Sequence, residues 1–316
     1  MKTRTLGKTD LEIVPLIFGG NVFGWTADEA KSFEILDALV DRGVNCIDTA
    51  NVYSAWAPGN KGGESETIIG KWLARGGKRD KIVLLTKVGN PMKDGGKGLS
   101  KKYILEEVER SLTRLQTDYI DLYQSHKDDA ETPLEETLSA YEELIKQGKV
   151  RFVGASNYTG ARLAEAIELG EAKKLPVYKT LQPEYNLYDR KAYEQDLAPV
   201  AAKYGVGVIP YFSLASGFLT GKYQSREDAK GAGREGLVKK YFDDRGAKIL
   251  KALKQVSEET GAEQAAISLA WLLAQPTVTA PIASATSTKQ LEALVASVAL
   301  TLSDAQVKTL TDASAY

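Results

Sequence analysis

A chain of 316 residues, 43% hydrophobic and 26% charged, carries enough apolar material for a sizeable core. Its net charge of −1 leaves no polyelectrolyte footprint, which argues against nucleic acid or anionic membrane as a large-scale partner. The one cysteine, Cys46, can form no internal disulfide, and the one histidine leaves a metal-hydrolase centre without ligands, so no metal site is expected.

In chain order, residues 3–6 and 11–14 alternate around a Gly/Asp turn at 7–10, a hairpin pattern. Residues 16–18 form a short apolar run closed by Gly19 and Gly20. Phe33, Leu36, Leu39 and Val40 recur at helical spacing within 28–42, and Gly43 stops them. Strand-like and helical segments then alternate: 45–48 before 64–74, 82–87 before 101–115, 119–124 before 134–147, 150–154 before 161–169, and 178–181 before 193–204. Residues 206–210 open onto a glycine-rich, charged excursion in which 225–236 reads as the most mobile stretch. Helical segments 247–259 and 262–274, a last strand at 278–282, a helix at 289–298 and a closing helix from Ser303 complete the chain.

Eight runs of this kind are short and apolar on both sides of their alternation, as strands buried on both faces are. At roughly 25–40 residues per unit the connections are crossovers and the sheet is parallel. The pattern predicts one α/β domain over residues 1–316, a (β/α)8 TIM barrel. The alternative is an open doubly wound sheet, but the first turn after a strand, from Gly19 to Gly24, only loosely approaches G-x-G-x-x-G. The N-terminus lacks the apolar core of a signal peptide and no window spans a membrane, so a cytoplasmic protein is expected.

In such a barrel chemistry sits at the carboxyl ends of the strands. Read off the sequence, those ends carry Asp48, Lys87, His126, Ser156 with Asn157, Gln182, Tyr211 and Ser284. A lysine at the tip of an apolar run needs a partner, and Asp48 is the candidate. Tyr53, five residues past Asp48, supplies a phenol; an ammonium within ~4–6 Å is expected to lower its pKa. Asp48, Tyr53, Lys87 and His126 together make a candidate proton-delivery site. Phe23, Trp25 and Trp56 are candidates for the substrate wall with Tyr53 and His126, and the loop 54–63 for its rim. Two other readings stay open. Lys87 could form a Schiff base, as in an aldolase, or the chain could be a non-catalytic subunit that senses a cofactor.

These residues, in this order, resemble the aldo-keto reductases over nearly the whole chain. The resemblance rests on Gly19 and Gly20, on Ile47 through Ala50 with Tyr53, on Thr86 and Lys87, and on Asp121 through His126. It continues through 148–157, Gln182 through Asn186, 211–222 and Pro281 through Ser284. It implies a hairpin plugging the barrel base and an NADP(H)-dependent reductase interconverting a carbonyl and its alcohol. Tyr53 would be the proton donor, Asp48 and Lys87 would tune it, and His126 would position the carbonyl. Ser156, Asn157 and Gln182 would hold the nicotinamide carboxamide, with Tyr211 stacked on its ring. Gly20, Asn21, Asp48, Ser213, Leu214, Ser216 and Lys222 would complete the cofactor cradle, and Ser284, Thr286 and Gln290 would meet the adenosine 2′-phosphate. The arginine usual at that last place is absent; Thr286, Ser287, Lys289 and Gln290 stand there, which also admits NAD(H). Lys127, where an aromatic is common, makes that side of the pocket more polar. The family resembles channel-associated barrels as well, the source of the sensing alternative.

Overall fold

A computed structural model describes residues 1–223, 225–230 and 235–316. Strands β1 (Arg4–Thr5) and β2 (Glu12–Ile13) pair antiparallel as the expected hairpin. Eight parallel strands follow: β3 (Ile17–Gly19), β4 (Cys46–Asp48), β5 (Val83–Val88), β6 (Ile120–Ser125), β7 (Val150–Ser156), β8 (Thr180–Gln182), β9 (Gly207–Val208) and β10 (Ile282–Ala283). Each pairs with the next, and β10 pairs with β3. Closure comes where Val208 bridges Val278 and the Ile282 N–H donates to the Pro210 carbonyl at 2.9 Å. The sheet is therefore a (β/α)8 barrel, with every strand paired on both sides.

Helices α1 (Glu29–Asp41), α2 (Glu64–Ala74), α3 (Lys101–Leu115), α4 (Leu134–Lys146), α5 (Gly160–Lys173) and α6 (Ala198–Tyr204) fill the crossovers. After β9 come α7 (Glu235–Val238), α8 (Asp244–Thr260) and α9 (Gln264–Leu273), and after β10 come α10 (Thr288–Ala299) and α11 (Asp304–Ala313). Their starts follow the capping chemistry of the sequence: Asp28, Ser100, Thr159 and Ser303 each accept a backbone N–H from the first turn. Helix α3 turns Ile104, Val108, Leu112 and Leu115 onto the sheet, a period-3.6 stripe that matches the outward faces of the strands.

The strand ends differ from the sequence expectation by a few residues. Strand β7 runs two residues past 154, so Ser156 is still in the sheet. Strand β10 begins four residues later than 278, because Pro281 has no N–H to give a ladder. The stretch 225–236, expected to be the most mobile, lies partly outside the described residues; those described form a 3-10 turn at Glu227–Ala229 and α7.

Alternation along the strands makes the barrel interior a stack of layers. Cys46, Val83, Leu85 and Leu122 point inward and pack with Leu6, Leu11 and Ile13 of the hairpin, which plugs the base. One step further along the same strands the inward positions become Asp48, Lys87 and Gln124. The apolar layers below exclude water from this polar layer. Gly7, at the hairpin turn, has φ +60°, and a Cβ there would lie 2.1 Å from the Lys179 carbonyl oxygen beneath β8. Gly7→Ala is expected to cost about 2–4 kcal/mol through left-handed backbone strain and the lifted plug. Urea unfolding checks this through a lower midpoint at an unchanged slope.

Candidate active site

Strand β4 delivers Asp48 to the mouth, and the chain then folds back through a series of turns. The Tyr53 N–H donates to the Ala50 carbonyl at 3.1 Å. The Ser54 hydroxyl donates to the Phe23 carbonyl at 2.6 Å, and the Asn60 amide donates to the carbonyls of Gly24 and Ser54. These bonds tie the loop carrying Tyr53 and Trp56 to the loop after β3, so the phenol is held rather than dangling.

Three of the four expected catalytic residues meet in direct bonds. Lys87 Nζ donates to Asp48 Oδ2 at 2.6 Å, to the Tyr53 hydroxyl at 2.7 Å and to the Thr49 carbonyl at 2.8 Å. Lys87 is 0% exposed and Asp48 1%, so the pair is dry, and all three ammonium protons have acceptors. The fourth residue, His126, follows β6 with its backbone N–H on the Val88 carbonyl. Its ring stands edge-on to that of Tyr53, centroids 5.9 Å apart.

Burial sets the protonation states. It pulls the Lys87 ammonium below its ordinary range, while Asp48 pushes back. It pushes the Tyr53 phenol well above its ordinary range, and the Asp48 carboxylate adds to the rise. The expectation that Lys87 lowers the Tyr53 pKa is thus reversed: desolvation of a phenolate outweighs one neighbouring cation that a carboxylate already neutralises. His126 is driven well below its ordinary range by burial, then by Lys87 and Lys127. It is therefore a neutral imidazole. Among the described residues its buried Nδ1 has no partner, which favours the tautomer with the proton on Nε2, since an orphaned acceptor costs less than an orphaned donor.

One substrate-wall candidate is corrected. Phe23 is 0% exposed and stacks on Phe18 at 5.5 Å, so it is core beneath the pocket. The other two form a ledge: Trp25 and Trp56 meet edge-on at 5.7 Å, and Trp56 meets Tyr53 at 5.9 Å, with Trp56 49% exposed.

The expected cofactor residues occupy the same mouth. The Ser156 hydroxyl donates to the Gln182 carbonyl, Asn157 to the His126 carbonyl, and the Tyr211 hydroxyl to the Asn157 side-chain oxygen at 2.8 Å. The Gln182 amide donates to Asp48 Oδ1 at 3.0 Å, a bond that the sequence reading did not foresee. The Ser284 hydroxyl lies 2.7 Å from the Gly19 carbonyl and 2.6 Å from Asn21 Oδ1, close behind Gly20. From Phe212 to Gly217 the backbone enters the left-handed region at Phe212, Ala215, Ser216 and Gly217. Three of these are not glycine, a strain of about 1–3 kcal/mol each that the surrounding packing must hold in place. Ser213 and Ser216 are buried within it, Leu214 packs against the core, and exposed Lys222 lies beside Gly217. The Gln290 side-chain oxygen accepts from Thr286 at the start of α10, and Ser287 caps that helix. A shaped backbone loop, a helix N-terminus and amide and hydroxyl donors around one mouth fit a phosphate-bearing dinucleotide.

Gln124 is the site residue that sequence reading passed over, although its place two residues beyond inward-facing Leu122 was a sufficient signal.

Comparison with known proteins agrees with this geometry. The aldo/keto reductase family model matches residues 15–315. An uncharacterized oxidoreductase of Bacillus subtilis, YrpG, is 37% identical, covering 99% of this chain and 95% of its own. A probable voltage-gated potassium channel subunit beta of Arabidopsis thaliana is 34% identical, covering 92% of this chain and 89% of its own. L-glyceraldehyde 3-phosphate reductase of Escherichia coli is 33% identical, covering 92% of this chain and 86% of its own. With a closed barrel, a polar layer at its mouth and a match over nearly every residue, the chain belongs to the aldo/keto reductase family.

Proposed function

We propose that this protein is an NADP(H)-dependent oxidoreductase that interconverts a small-molecule aldehyde or ketone and its alcohol. The carrying observation is the Lys87 ammonium, 2.7 Å from the Tyr53 hydroxyl and 2.6 Å from Asp48, with the His126 ring alongside. When bound, the reduced nicotinamide supplies a hydride to the carbonyl carbon. Everything else falls to side chains of this chain.

The His126 Nε2–H donates to the carbonyl oxygen and orients it toward Tyr53. The phenol, held protonated by burial, gives up its proton only when the oxygen becomes an alkoxide, a far stronger base than a carbonyl. Lys87 offsets the phenolate left behind, and Asp48 keeps Lys87 charged in a dry site. In the alcohol-oxidising direction the same groups take the proton back. Ser156, Asn157, Gln182 and Tyr211 orient the nicotinamide, and the loop 212–217 with Lys222 holds the pyrophosphate. Lys289 is exposed beside the α10 N-terminus, so a cation and a helix dipole stand where the 2′-phosphate would bind. This favours NADP(H) over NAD(H). The aromatic ledge suits a carbon skeleton, and exposed Lys127 leaves one side of the pocket open to polar or anionic substituents.

The rival readings lose weight on particular contacts. A Schiff-base lysine must be neutral and reachable, whereas Lys87 is fully buried with three acceptors on its ammonium. A sensing subunit needs the cofactor cradle but not a complete proton-delivery set. Fluorescence titration with NADPH and NADH, followed by a panel of neutral and phosphorylated aldehydes and ketones, tests the reading. Expected are tighter binding of NADPH and measurable turnover. Cofactor binding with no turnover on any carbonyl would leave the sensing role in its place.

A further inference from the structure

We propose that Gln124 is a positioning residue of the proton-delivery site, holding Asp48 in the orientation and charge state that Lys87 and Tyr53 need. The inference rests on the reductase reading and extends it to a residue outside the Asp48, Tyr53, Lys87 and His126 set.

The geometry is a closed ring of amides. Gln124 Nε2 donates to Asp48 Oδ1 at 3.0 Å. Gln182 Nε2 donates one proton to the same Oδ1 and the other to Gln124 Oε1, both at 3.0 Å. Gln124 is 0% exposed and Gln182 2%. The amide orientation of Gln124 is fixed by its neighbours, since flipping it would set an oxygen against a carboxylate and a donor against a donor. The division of labour on Asp48 follows: Oδ1 takes both amides, and Oδ2 is left for Lys87 and, at 3.5 Å, the Tyr53 hydroxyl. The fold clears space for this. A Cβ on Gly154, on β7 beside β6, would lie 2.2 Å from Thr180 Oγ1 and 3.2 Å from the Gln124 Cγ.

The electrostatic consequence is specific. A carboxylate removed from water needs hydrogen bonds as well as a counter-charge to stay ionised. Without the Gln124 donor, the state that loses most is the fully deprotonated pair, an Asp48 anion beside a neutral Lys87, so the proton on buried Lys87 is held to higher pH. Charged or titratable groups facing this cluster are Tyr53 and Tyr211 at the mouth, Cys46 one step below Asp48 on β4, His126 and Lys127 after β6, and Glu66 on α2 behind β5. Among the described residues the donors to Oδ1 are Gln124 and Gln182, and none of these other groups bonds it.

The test compares Gln124→Leu and Gln124→Glu with wild type. Gln124→Leu is expected to lower kcat about 10–100-fold, as loss of a partner behind a catalytic ligand does elsewhere, with cofactor Kd little changed. Its alkaline limb should move up to about one pH unit higher, because the lost hydrogen bond is to a charged group that needs it most once Lys87 is neutral. In Gln124→Glu the new carboxyl, while protonated, can still donate to Asp48 Oδ1; once ionised it faces a like charge. That variant should recover activity at acidic pH and lose it as pH rises, a profile no merely structural role produces. An independent readout is the Lys87 side-chain NMR signal of the apoprotein, whose titration should move to higher pH in Gln124→Leu. Wild-type pH profiles and kcat in both variants, or an unmoved Lys87 titration, would overturn the inference. Wild type inactive on every carbonyl would instead remove the reductase reading, and the NMR titration would still decide the role of Gln124. If Gln124→Leu fails to fold, the Gln124→Glu profile decides alone.

Discussion

Tyr53→Phe should lower kcat for carbonyl reduction by ~10²–10⁴, about 3–5 kcal/mol of transition-state stabilisation, and leave cofactor affinity within about twofold. The substitution removes one oxygen and little else. The ring keeps its edge contacts to Trp56 and His126, and the Lys87 ammonium still lies over the ring face at 4.4 Å. Lys87 retains Asp48 and the Thr49 carbonyl as acceptors, so no buried charge is abandoned and the melting temperature should barely move. What disappears is the hydroxyl that the Lys87 ammonium bonds at 2.7 Å. Stopped-flow or steady-state rates with NADPH, alongside fluorescence titration of the cofactor, separate the two quantities. The pH dependence sharpens the test. Because burial drives His126 well below the usual imidazole range, it stays neutral through the neutral region, and wild-type reduction should show no limb near the ordinary histidine pKa. A limb there, or a Tyr53→Phe variant with near-normal kcat, would assign the proton to another group.

The parts of this site that could be read in the sequence are those governed by period-2 alternation and by strand ends. An apolar run ending on a charge placed Asp48 and Lys87, and alternation put both inside the barrel. Tyr53 was read from its spacing after Asp48, although nothing local says which way a loop phenol turns. What could not be read depended on partners distant in sequence. Phe23 carries the composition of a pocket aromatic, but Phe18 on the preceding strand claims its face. The direction of the Tyr53 shift turned on how dry the site is, a property of the hairpin plug and the apolar layers rather than of any neighbouring residue. Buried charge alone would have misled. Glu66 and Glu107 are as buried as Asp48, yet they lie outside the barrel, where Arg114 bonds both and Thr86 donates to Glu66. Thr86 is adjacent to Lys87 on β5 and points to the opposite face, so one residue of register separates a structural ion cluster from the candidate chemical one.

Lys87→Met and the double variant Asp48→Asn with Lys87→Met should part stability from catalysis. Removing the ammonium alone leaves Asp48 buried without its counter-charge, held by the amides of Gln124 and Gln182 and, at 3.5 Å, the Tyr53 hydroxyl. Breaking one side of a buried pair costs about 3–5 kcal/mol, because the remaining charge is uncompensated. For a chain of this size that corresponds to a melting temperature about 5–8 °C lower. Activity should also collapse, since the phenolate formed after proton transfer would face a carboxylate with no cation between them. Adding Asp48→Asn removes the orphaned charge. The neutral amide fits the same space, and most of the lost stability should return. Activity should not, because the cation that stabilises the phenolate is still missing. A non-additive recovery of at least half the lost melting temperature, with kcat still down by two orders of magnitude or more, is the expected double-mutant cycle. If stability and turnover recovered together, the pair would be a structural element that the reaction merely requires folded. If neither single nor double variant lost turnover, the ammonium beside Tyr53 would have no part in proton delivery.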